Sequence, residues 1–402
     1  MKLAVIGGGP SGLYLSILVK RRQPHAQVLV LEQNGADSTF GFGVVLADSG
    51  LHRLQAADEQ VYQKLIERMT FNDTQNIQVN EIPIELIHPG KGGAIARIDL
   101  LRVLQKTAHE LGVDVRHGVR IEHPDVLEQL GWGDADVVVG ADGVNSVVRA
   151  AHESSFGATR ASLTNHFAWF GTSKVFERSA LVFRQWKGGS FVAHYYAYCS
   201  TGSTFVAECD HDTWERLGME GMNDGQRQSL CEEIFAPELQ GHGLISNHSN
   251  WRQFPLIQTQ QWHVGNQVLI GDAQTSAHFS IGSGTRIAME DAIALADALT
   301  SPAADGEAIP TPIERLQRFA LVRGLEKEKL LGASRKSYTW YEYMGQWMQQ
   351  YSPHEFVYAF MTRTGRMSDL RLAQQYPSLY ASWVSLGVAQ TQTLPDPVAQ
   401  TV

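Results

Sequence analysis

The sequence predicts an α/β fold in which a mainly parallel sheet is interrupted by an antiparallel, β-rich insert and is followed by helices. Three observations predict it. A β-α-β pattern fills the first thirty residues, aromatic and β-branched runs separated by turns occupy 165–209, and helical patterns dominate after 287. Buried parallel strands are short apolar runs, whereas antiparallel strands recur with regular turns. At 402 residues the chain is long enough for two packed domains or one composite domain.

The N-terminal unit consists of a strand at 3–6, a helix at 11–22 and a strand at 28–31. Between the first strand and the helix, Gly7, Gly9 and Gly12 fit the pattern G-x-G-x-x-G. In this context the first glycine permits a tight turn, the second lets the backbone approach a pyrophosphate, and the third lets helix and strand pack closely. The helix N-terminus then offers free N–H groups to the phosphates. We therefore expect a dinucleotide site here.

Glu32 ends the second strand, twenty residues after Gly12. A carboxylate at this position can accept hydrogen bonds from ribose hydroxyls. It favours a ribose with a free 2′-hydroxyl, and so NAD or FAD over NADP. This motif alone does not separate NAD from FAD.

The later elements follow in chain order. They are a glycine loop, short strand and helix over 40–54, a helix at 99–111, a strand at 113–116, a buried strand within 135–143 ending in Asp142-Gly143, the antiparallel strands of 165–209, a helix at 222–235, a strand at 268–270 followed by Gly271-Asp272, and helices at 287–299, 313–333, 337–350 and 353–362. We expect a nucleotide-binding part at 1–155 with a small excursion near 70–95, a β-rich domain at 156–262, a closing segment of the first domain at 263–310, a helical segment at 311–393 and a flexible tail at 394–402.

Composition narrows the functional classes. The formal charge is 33 − 42 = −9, which argues against a nucleic-acid-binding protein. Cys199, Cys209 and Cys231 show no CxxC spacing, so we expect no zinc site or disulfide framework and a reducing, cytoplasmic setting. The glycine-broken start is too short for a signal sequence, and no apolar run reaches the length of a membrane span.

The N-terminal G-x-G-x-x-G motif, the Asp142-Gly143 pair, the Gly271-Asp272 pair and the β-rich insert are four features in a fixed order. Together they resemble the single-component FAD-dependent aromatic hydroxylases of the p-hydroxybenzoate hydroxylase class. The resemblance covers residues 1 to about 300. It implies a Rossmann-like FAD-binding domain with an inserted antiparallel substrate sheet, and an extended FAD. It also implies that the first motif holds the ADP half, Asp272 bonds the ribityl chain, Asp142 lies near the pyrophosphate and Arg97 reaches the ribityl or phosphate region.

The residues expected to bind the cofactor are Gly7, Gly9, Pro10, Ser11, Gly12, Glu32, Gln33, Val44, Arg97, Asp142, Gly271, Asp272, Gly282, Ser283, Gly284 and Thr285. The last four form a turn that begins a helix. In such a fold this helix points its N-terminus at the flavin ring. Its N–H groups and dipole would stabilise negative charge on reduced flavin, and glycines keep the backbone accessible.

A narrower resemblance extends over nearly the whole chain. The runs GFGVVL, STFVAEC, HFSIGSGT and FMTRTGRMSDLRL resemble a subgroup with salicylyl-CoA 5-hydroxylase, the hydroxylase part of anthraniloyl-CoA monooxygenase and the violacein-pathway tryptophan-derivative hydroxylase. Gln274 and Thr275 replace the Ala-His of the aryl-CoA members. His278-Phe279 stands where the wider class has prolines. The exact substrate therefore stays open.

His278 is the candidate catalytic residue, because a histidine beside the flavin-facing helix can hydrogen-bond a phenol or aniline and help remove its proton. The alternative is a structural histidine. The candidates for lining the substrate site are Trp169, Phe183, His194, Tyr196, Phe205 and Phe279. The phosphates of a CoA substrate could meet Arg363, Arg366 and Arg371, although a solvated surface face is an equal alternative. No metal is expected.

The resemblance implies hydroxylation of an electron-rich aromatic ring with O₂ and NADH or NADPH through a flavin C4a-hydroperoxide. The favoured substrate is an aryl-CoA thioester such as salicylyl- or 2-aminobenzoyl-CoA, acted on by a monomer or homodimer. The first alternative is hydroxylation of a free indole, tryptophan-derived or aryl-amine substrate. An FAD-holding protein without turnover and an NAD-dependent dehydrogenase are further alternatives.

Overall fold

A computed structural model describes residues 1–247, 250–282, 284–302 and 308–385, with only the backbone for 89–91. The strands are β1 (Lys2–Ile6), β2 (Gln27–Glu32), β3 (Gly43–Leu46), β4 (Thr70–Val79), β5 (Ile82–Ala96), β6 (Asp114–His117), β7 (Val137–Gly140), β8 (Thr159–Thr172), β9 (Ser179–Trp186), β10 (Gly189–Cys199), β11 (Gly202–Cys209), β12 (Leu244–Ser246), β13 (Arg252–Gln258), β14 (His263–Val264) and β15 (Gln267–Leu269). The helices are α1 (Pro10–Arg22), α2 (Asp48–Ala57), α3 (Glu59–Ile66), α4 (Arg97–Glu110), α5 (Val126–Gln129), α6 (Val147–Ala151), α7 (Glu153–Phe156), α8 (His211–Arg216), α9 (Asp224–Ile234), α10 (Ala236–Leu239), α11 (Gly284–Thr300), α12 (Pro312–Glu342), α13 (Met344–Gln350), α14 (Pro353–Thr362), α15 (Asp369–Gln375) and α16 (Pro377–Ser385).

The first sheet has the strand order β14-β15-β7-β1-β2-β6, and only β14 runs antiparallel to its neighbour. Its central strand β1 is almost wholly apolar and buried, as a strand covered on both faces requires. Ile6 pairs with Gly140, which pairs with Leu269. The carboxyl ends of β1, β7 and β15 therefore lie side by side. This brings together the three motif-bearing loops that follow them.

The second sheet has the order β12-β8-β11-β10-β9-β4-β5-β3, with β13 also paired to β8. Strands β8 to β11 form the antiparallel arrangement that the aromatic, turn-punctuated sequence predicts. The excursion near 70–95 is the β4–β5 hairpin. It joins the insert through parallel pairing of β4 with β9. One continuous sheet therefore receives strands from both the N-terminal part and the insert.

The C-terminal helices cover one end of the second sheet. The sequence predicts separate helices at 313–333 and 337–350, and this prediction is wrong, because α12 runs without a break to Glu342. Ser334 and Ser337, which lie in or beside the predicted break, are buried in the helix rather than placed in a turn. Trp340, Tyr341 and Phe356 then pack with Phe183 in a common apolar cluster. The fold class is confirmed.

We predict that Gly12→Ala destabilises the apoprotein by about 2–3 kcal/mol or more, because overpacking that cannot be relieved by a side chain has this cost. A Cβ on Gly12 would lie 2.1 Å from the carbonyl oxygen of Gly7. Urea unfolding followed by circular dichroism measures the change. The control is Gly332→Ala in α12, where a Cβ meets no atom within 4 Å. Alanine there should stabilise the helix slightly. Equal stability of the two variants would contradict the prediction.

Candidate active site

A cavity of about 2330 Å³ is lined by residues of both sheets. It includes Gly9 and Glu32 from the first β-α-β unit, and Phe279, Tyr341 and other aromatic residues from the opposite parts of the fold. A single small-molecule site usually occupies roughly 300–1,000 Å³. The cavity therefore has room for an extended dinucleotide and a second molecule.

The three glycines of the first motif have distinct surroundings. Gly7 has φ +109°, and a Cβ there would lie 2.3 Å from the carbonyl oxygen of Ala141. Gly12 packs against the Gly7 carbonyl in the same way. Gly9 is the opposite case, because a Cβ there would meet no atom within 4 Å and would project into open space. A ligand backbone or phosphate can occupy that space at the N-terminus of α1, so the loop fits a pyrophosphate.

Glu32 is held at the edge of the cavity by the backbone. One carboxylate oxygen accepts the N–H of Gly8 at 2.8 Å, and the other accepts the N–H and the side-chain amide of Asn34 at 2.8 and 2.7 Å. A carboxylate has about four acceptor sites, so one remains for a ribose hydroxyl. The neighbouring Gln33, together with Pro10 and Ser11, also lines the cavity.

Asp142 lines the cavity after β7. Its Oδ2 accepts the N–H of Val147 at 2.7 Å, whereas its buried Oδ1 has no partner among the described residues. Desolvation raises the pKa of this carboxyl, although hydrogen bonds oppose the shift. Nearby, the buried Arg149 donates to the carbonyl of Ala273 at 2.7 Å. This bond ties the Asp142 loop to the loop that contains Asp272.

Asp272 lies in the cavity wall, and the charges of two cations act on its carboxyl group. Desolvation raises the pKa of its carboxyl, and the charges of Lys327 and Arg97 oppose that increase. Arg97 also lines the cavity, as do Val44 and Tyr196, and the Tyr196 hydroxyl donates to the Gly43 carbonyl at 2.8 Å. Four of the predicted residues, from β3, α4, β10 and the loop after β15, thus line a common cavity. The arrangement suits the polar chain of a dinucleotide.

A buried ionic network fixes the loop that contains Asp272. Asp291 is fully buried in α11 and accepts the N–H of Gly271 at 3.0 Å, Arg323 Nε at 2.8 Å and Lys327 Nζ at 2.7 Å. Lys327 also donates to Gln274 Oε1 at 2.7 Å. Gln274 therefore has a structural partner of its own. In the sequence, this network is indicated by charged residues at 291, 323 and 327, which stand inside apolar helical patterns.

The turn before α11 opens onto the cavity. Gly282 has φ +58° and donates its N–H to the Phe279 carbonyl at 2.7 Å. Gly284 begins α11, and Gly282, Gly284 and Thr285 line the cavity, while Ser283 lies outside the described residues. The first N–H groups of a helix lack intrahelical partners. This helix therefore presents a site for negative charge at the cavity wall.

The predicted substrate residues divide into two groups. Trp169, His194, Tyr196 and Phe279 line the cavity. Phe183 and Phe205 do not, so the structure corrects this part of the prediction. Phe205 points to the other face of the sheet, where its ring lies 5.5 Å from that of Phe235. Phe183 shares the His194 face, but α14 covers it, with Phe356 4.7 Å away. Phe205 is kept out of the cavity by the alternation of side chains along its strand, and Phe183 by the packing of α14. Both effects depend on tertiary structure.

His278 does not line the cavity. Its Nδ1 accepts the N–H of Ser280 at 3.2 Å, and its ring lies 4.2 Å from that of Phe279 and 4.7 Å from that of Phe254. Burial, with a smaller contribution from His194 and Arg363, lowers the pKa of His278 to about 3. The geometry thus favours a neutral histidine that caps the turn before Gly282. Its catalytic role stays a prediction.

Sequence reasoning did not identify Tyr341 as part of the cavity wall, and it grouped Arg363 with Arg366 and Arg371. The structure separates them, because Arg363 lines the cavity whereas the other two are exposed, with Arg371 donating to the Arg366 carbonyl at 3.0 Å. A single pocket for CoA phosphates is not formed by the three. Tyr341 reaches the cavity wall because α12 is longer than expected, and no local sequence signal indicated that length.

The comparisons with known proteins agree with this geometry. Residues 1–315 match the model of a family described as FAD binding domain, and the chain belongs to this family. It is an FAD-dependent monooxygenase, and the prediction of this enzyme class and of FAD as its cofactor is confirmed. NAD(P)H and O₂ are the typical co-substrates of the class.

Two relatives and one solved structure are similar to this chain. It is 36% identical to salicyloyl-CoA 5-hydroxylase of a Streptomyces species, with 90% of this chain and 70% of that protein covered. It is 32% identical to protodeoxyviolaceinate monooxygenase of Chromobacterium violaceum, with 90% and 94% covered. The solved structure of 2-methyl-3-hydroxypyridine-5-carboxylic acid oxygenase has a TM-score of 0.67 at 16% identity, covering 92% and 95%, and shows the shared fold.

The described ranges contain neither a membrane-spanning helix nor a cluster of metal ligands. No helix there has the length and apolar character needed to cross a membrane. No group of three or more histidine, cysteine or acidic side chains there could hold a metal ion.

We predict that Gly9→Val abolishes retention of FAD while leaving the apoprotein folded. Its Cβ would enter the open space that a pyrophosphate needs, yet would meet no protein atom. Flavin absorbance per protein measures retention, and circular dichroism measures folding. Gly332→Val serves as the control, since it also adds a side chain in open space but away from the cavity. Purification of Gly9→Val with a full complement of FAD would refute the prediction.

We predict that His278→Asn retains more coupled turnover than His278→Ala, because asparagine can accept the Ser280 N–H as a cap whereas alanine cannot. A histidine with a pKa of about 3 is neutral between pH 5 and 8, so neither variant should remove an ionisation from the activity profile in that window. Product formed per NAD(P)H oxidised is the measurement. Equal and near-complete loss in both variants would instead assign His278 to the chemistry.

Proposed function

We propose that the protein hydroxylates an electron-rich aromatic ring attached to a CoA thioester, with salicylyl- and 2-aminobenzoyl-CoA as the leading substrates. The observation that carries the proposal is one cavity that includes both the glycine motif at Gly9 and an aromatic wall at Trp169, Phe279 and Tyr341. The similarity to salicyloyl-CoA 5-hydroxylase supports an aryl-CoA substrate. A second relative, 3-hydroxy-4-methyl-anthranilyl-[aryl-carrier protein] 5-monooxygenase of Streptosporangium sibiricum, is 34% identical over 74% of this chain and 79% of that protein, and its name supports an aryl group attached to a carrier rather than a free one.

The residues of the chain have the following proposed roles. FAD, when bound and reduced by NADH or NADPH, activates O₂ so that one oxygen atom reaches the ring. The loop at Gly9 and the start of α1 bind the pyrophosphate, Glu32 binds the ribose, and Asp272 with Arg97 binds the ribityl chain. The N-terminus of α11 at Gly284 stabilises negative charge on the reduced ring system.

The aromatic wall has a separate role. Trp169, Phe279 and Tyr341 orient the flat substrate and exclude water from the reacting atoms. His194 lines the same wall, and burial lowers its pKa to about 3, so it offers a neutral ring nitrogen to a phenol O–H or an aniline N–H. Such a neutral acceptor orients a polar substituent without adding charge.

A second candidate function is hydroxylation of a free indole or tryptophan-derived compound. The similarity to protodeoxyviolaceinate monooxygenase favours it, and this match covers 94% of that relative, against 70% for salicyloyl-CoA 5-hydroxylase. We further propose that the enzyme acts as a monomer or homodimer in the cytoplasm. The two substrate hypotheses differ in whether part of the ligand must extend out of the cavity.

The test is product analysis of the purified flavoprotein with NADH or NADPH, O₂ and a panel of aryl-CoAs, free aryl acids and indoles. We expect a ring-hydroxylated CoA thioester, formed in near-stoichiometric amount to the NAD(P)H oxidised. Each free acid is the matched control for its own CoA thioester. Coupled hydroxylation of an indole with no aryl-CoA product would replace the first proposal with the second. NAD(P)H oxidation without any hydroxylated product would refute both.

A further inference from the structure

Arg363 is a cation in the cavity wall with no acid beside it. Its Nε donates to Ser337 Oγ at 3.0 Å, one Nη donates to the Phe360 carbonyl and the other to the Ser280 carbonyl at 3.0 Å. No carboxylate lies within salt-bridge distance of it in the part of the chain that the structure describes. The charge is therefore balanced only by neutral acceptors.

Arg363 is half-buried and lines the cavity, so a ligand bound there can pair with its charge. Burial lowers the pKa of the Arg363 guanidinium, opposed only by the nearby Tyr341, which shows how little negative charge surrounds it. Buried charges in proteins are normally paired. Among the buried cations of this chain, Arg323 and Lys327 share Asp291 and Arg184 pairs with Glu238, whereas Arg149 donates to the carbonyls of Ala273 and Val144. Arg363 differs from Arg149 because it lines the cavity, where a ligand can reach it.

The guanidinium retains donors for a ligand. Three of its five N–H groups are used within the protein, which leaves two. Its plane lies over Phe360, 3.8 Å from the ring centre, so its orientation is fixed. His194, Tyr341 and Ser280 line the cavity beside it, and none of them carries a negative charge at neutral pH.

We propose that Arg363 is the residue that recognises the substrate, by binding an anionic oxygen attached to its aromatic ring. This inference rests on the proposed function and narrows it. In an aryl-CoA the acyl carbon is in a neutral thioester, so the anionic oxygen must be a ring phenolate. A hydroxyaryl-CoA is then preferred over a 2-aminobenzoyl-CoA, which has no such oxygen. In a free aryl acid the carboxylate takes the same place.

The first experiment needs no variant. Binding of benzoate and of its neutral isostere benzamide to the FAD-loaded enzyme is followed by the change in flavin absorbance, and 4-nitrophenolate is compared with 4-nitroanisole in the same way. If benzoate binds tightly and 4-nitrophenolate does not, the anionic oxygen comes from a carboxylate. If 4-nitrophenolate binds tightly, it comes from a ring oxygen. Equal affinity for each anion and its neutral partner would overturn the proposal.

The second experiment changes Arg363. We expect Arg363→Gln to weaken binding of the preferred anion by about 30-fold or more, as loss of one member of a buried charge pair does, while the neutral partner changes little. Arg363→Lys should retain part of the selectivity, because it keeps the charge but loses the fork of donors. The control is Arg366→Gln, an exposed arginine three residues away, which should change neither affinity.

Two results would show that Arg363 has another role. Equal weakening of the anion and its neutral partner would indicate that the residue only supports the packing of α14. A shifted flavin spectrum in ligand-free Arg363→Gln, with anion selectivity unchanged, would indicate that it serves the cofactor. The outcome is separable from that of the proposed function, since absence of any aryl-CoA product leaves the benzoate-to-benzamide ratio unaffected. If product forms but Arg363→Gln keeps the preference for the anion over its neutral partner, only the proposed role of Arg363 is refuted.

Discussion

The structure depends on the buried carboxylate of Asp291. Three donors meet it, namely the Gly271 N–H, Arg323 and Lys327, and they come from the loop after β15 and from α12. Removing one member of such a group leaves a buried charge without compensation, which is strongly destabilising. The network therefore fixes the loop containing Asp272 against α11 and α12 together. Because α12 continues to Tyr341, the same contact sets the distance between the cofactor part of the cavity and its aromatic wall.

The parts of the fold that could be predicted are those specified by residues that are close together in the sequence. The strand, glycine turn and helix around Gly9 are contiguous, and the meander of β8 to β11 alternates with turns at regular spacing, so short-range patterns identify both. The pairing of β4 with β9 joins segments about a hundred residues apart, and nothing in either strand specifies its partner. The unbroken α12 was missed because Ser334 favours a turn locally, whereas burial of its side chain keeps it in the helix.

The same distinction applies within the site. Gly9, Asp142 and Asp272 each lie in a loop that follows a strand of the first sheet, and the carboxyl ends of these parallel strands meet at one edge, so their convergence follows from sequence and topology. The aromatic wall of the cavity includes Trp169, His194 and Tyr341, which lie on β8, β10 and α12. Their roles depend on which sheet face α12 covers. His278 illustrates the converse, because its proximity in sequence to the turn before α11 did not place it in the cavity.

The cavity contains positive groups at fixed positions, although the molecule as a whole is acidic and acidic side chains outnumber arginines in the cavity lining. The chain has a formal charge of −9, yet its cavity offers the N-terminus of α1, the N-terminus of α11, Arg97 and Arg363. A cleft with low-dielectric walls focuses the potential of such groups. Pyrophosphate, reduced flavin and an anionic ring oxygen would each meet a separate positive group, held in place by backbone or by packing. Anions would then bind mainly at these fixed donors, which ties substrate selection to positions that the fold itself determines.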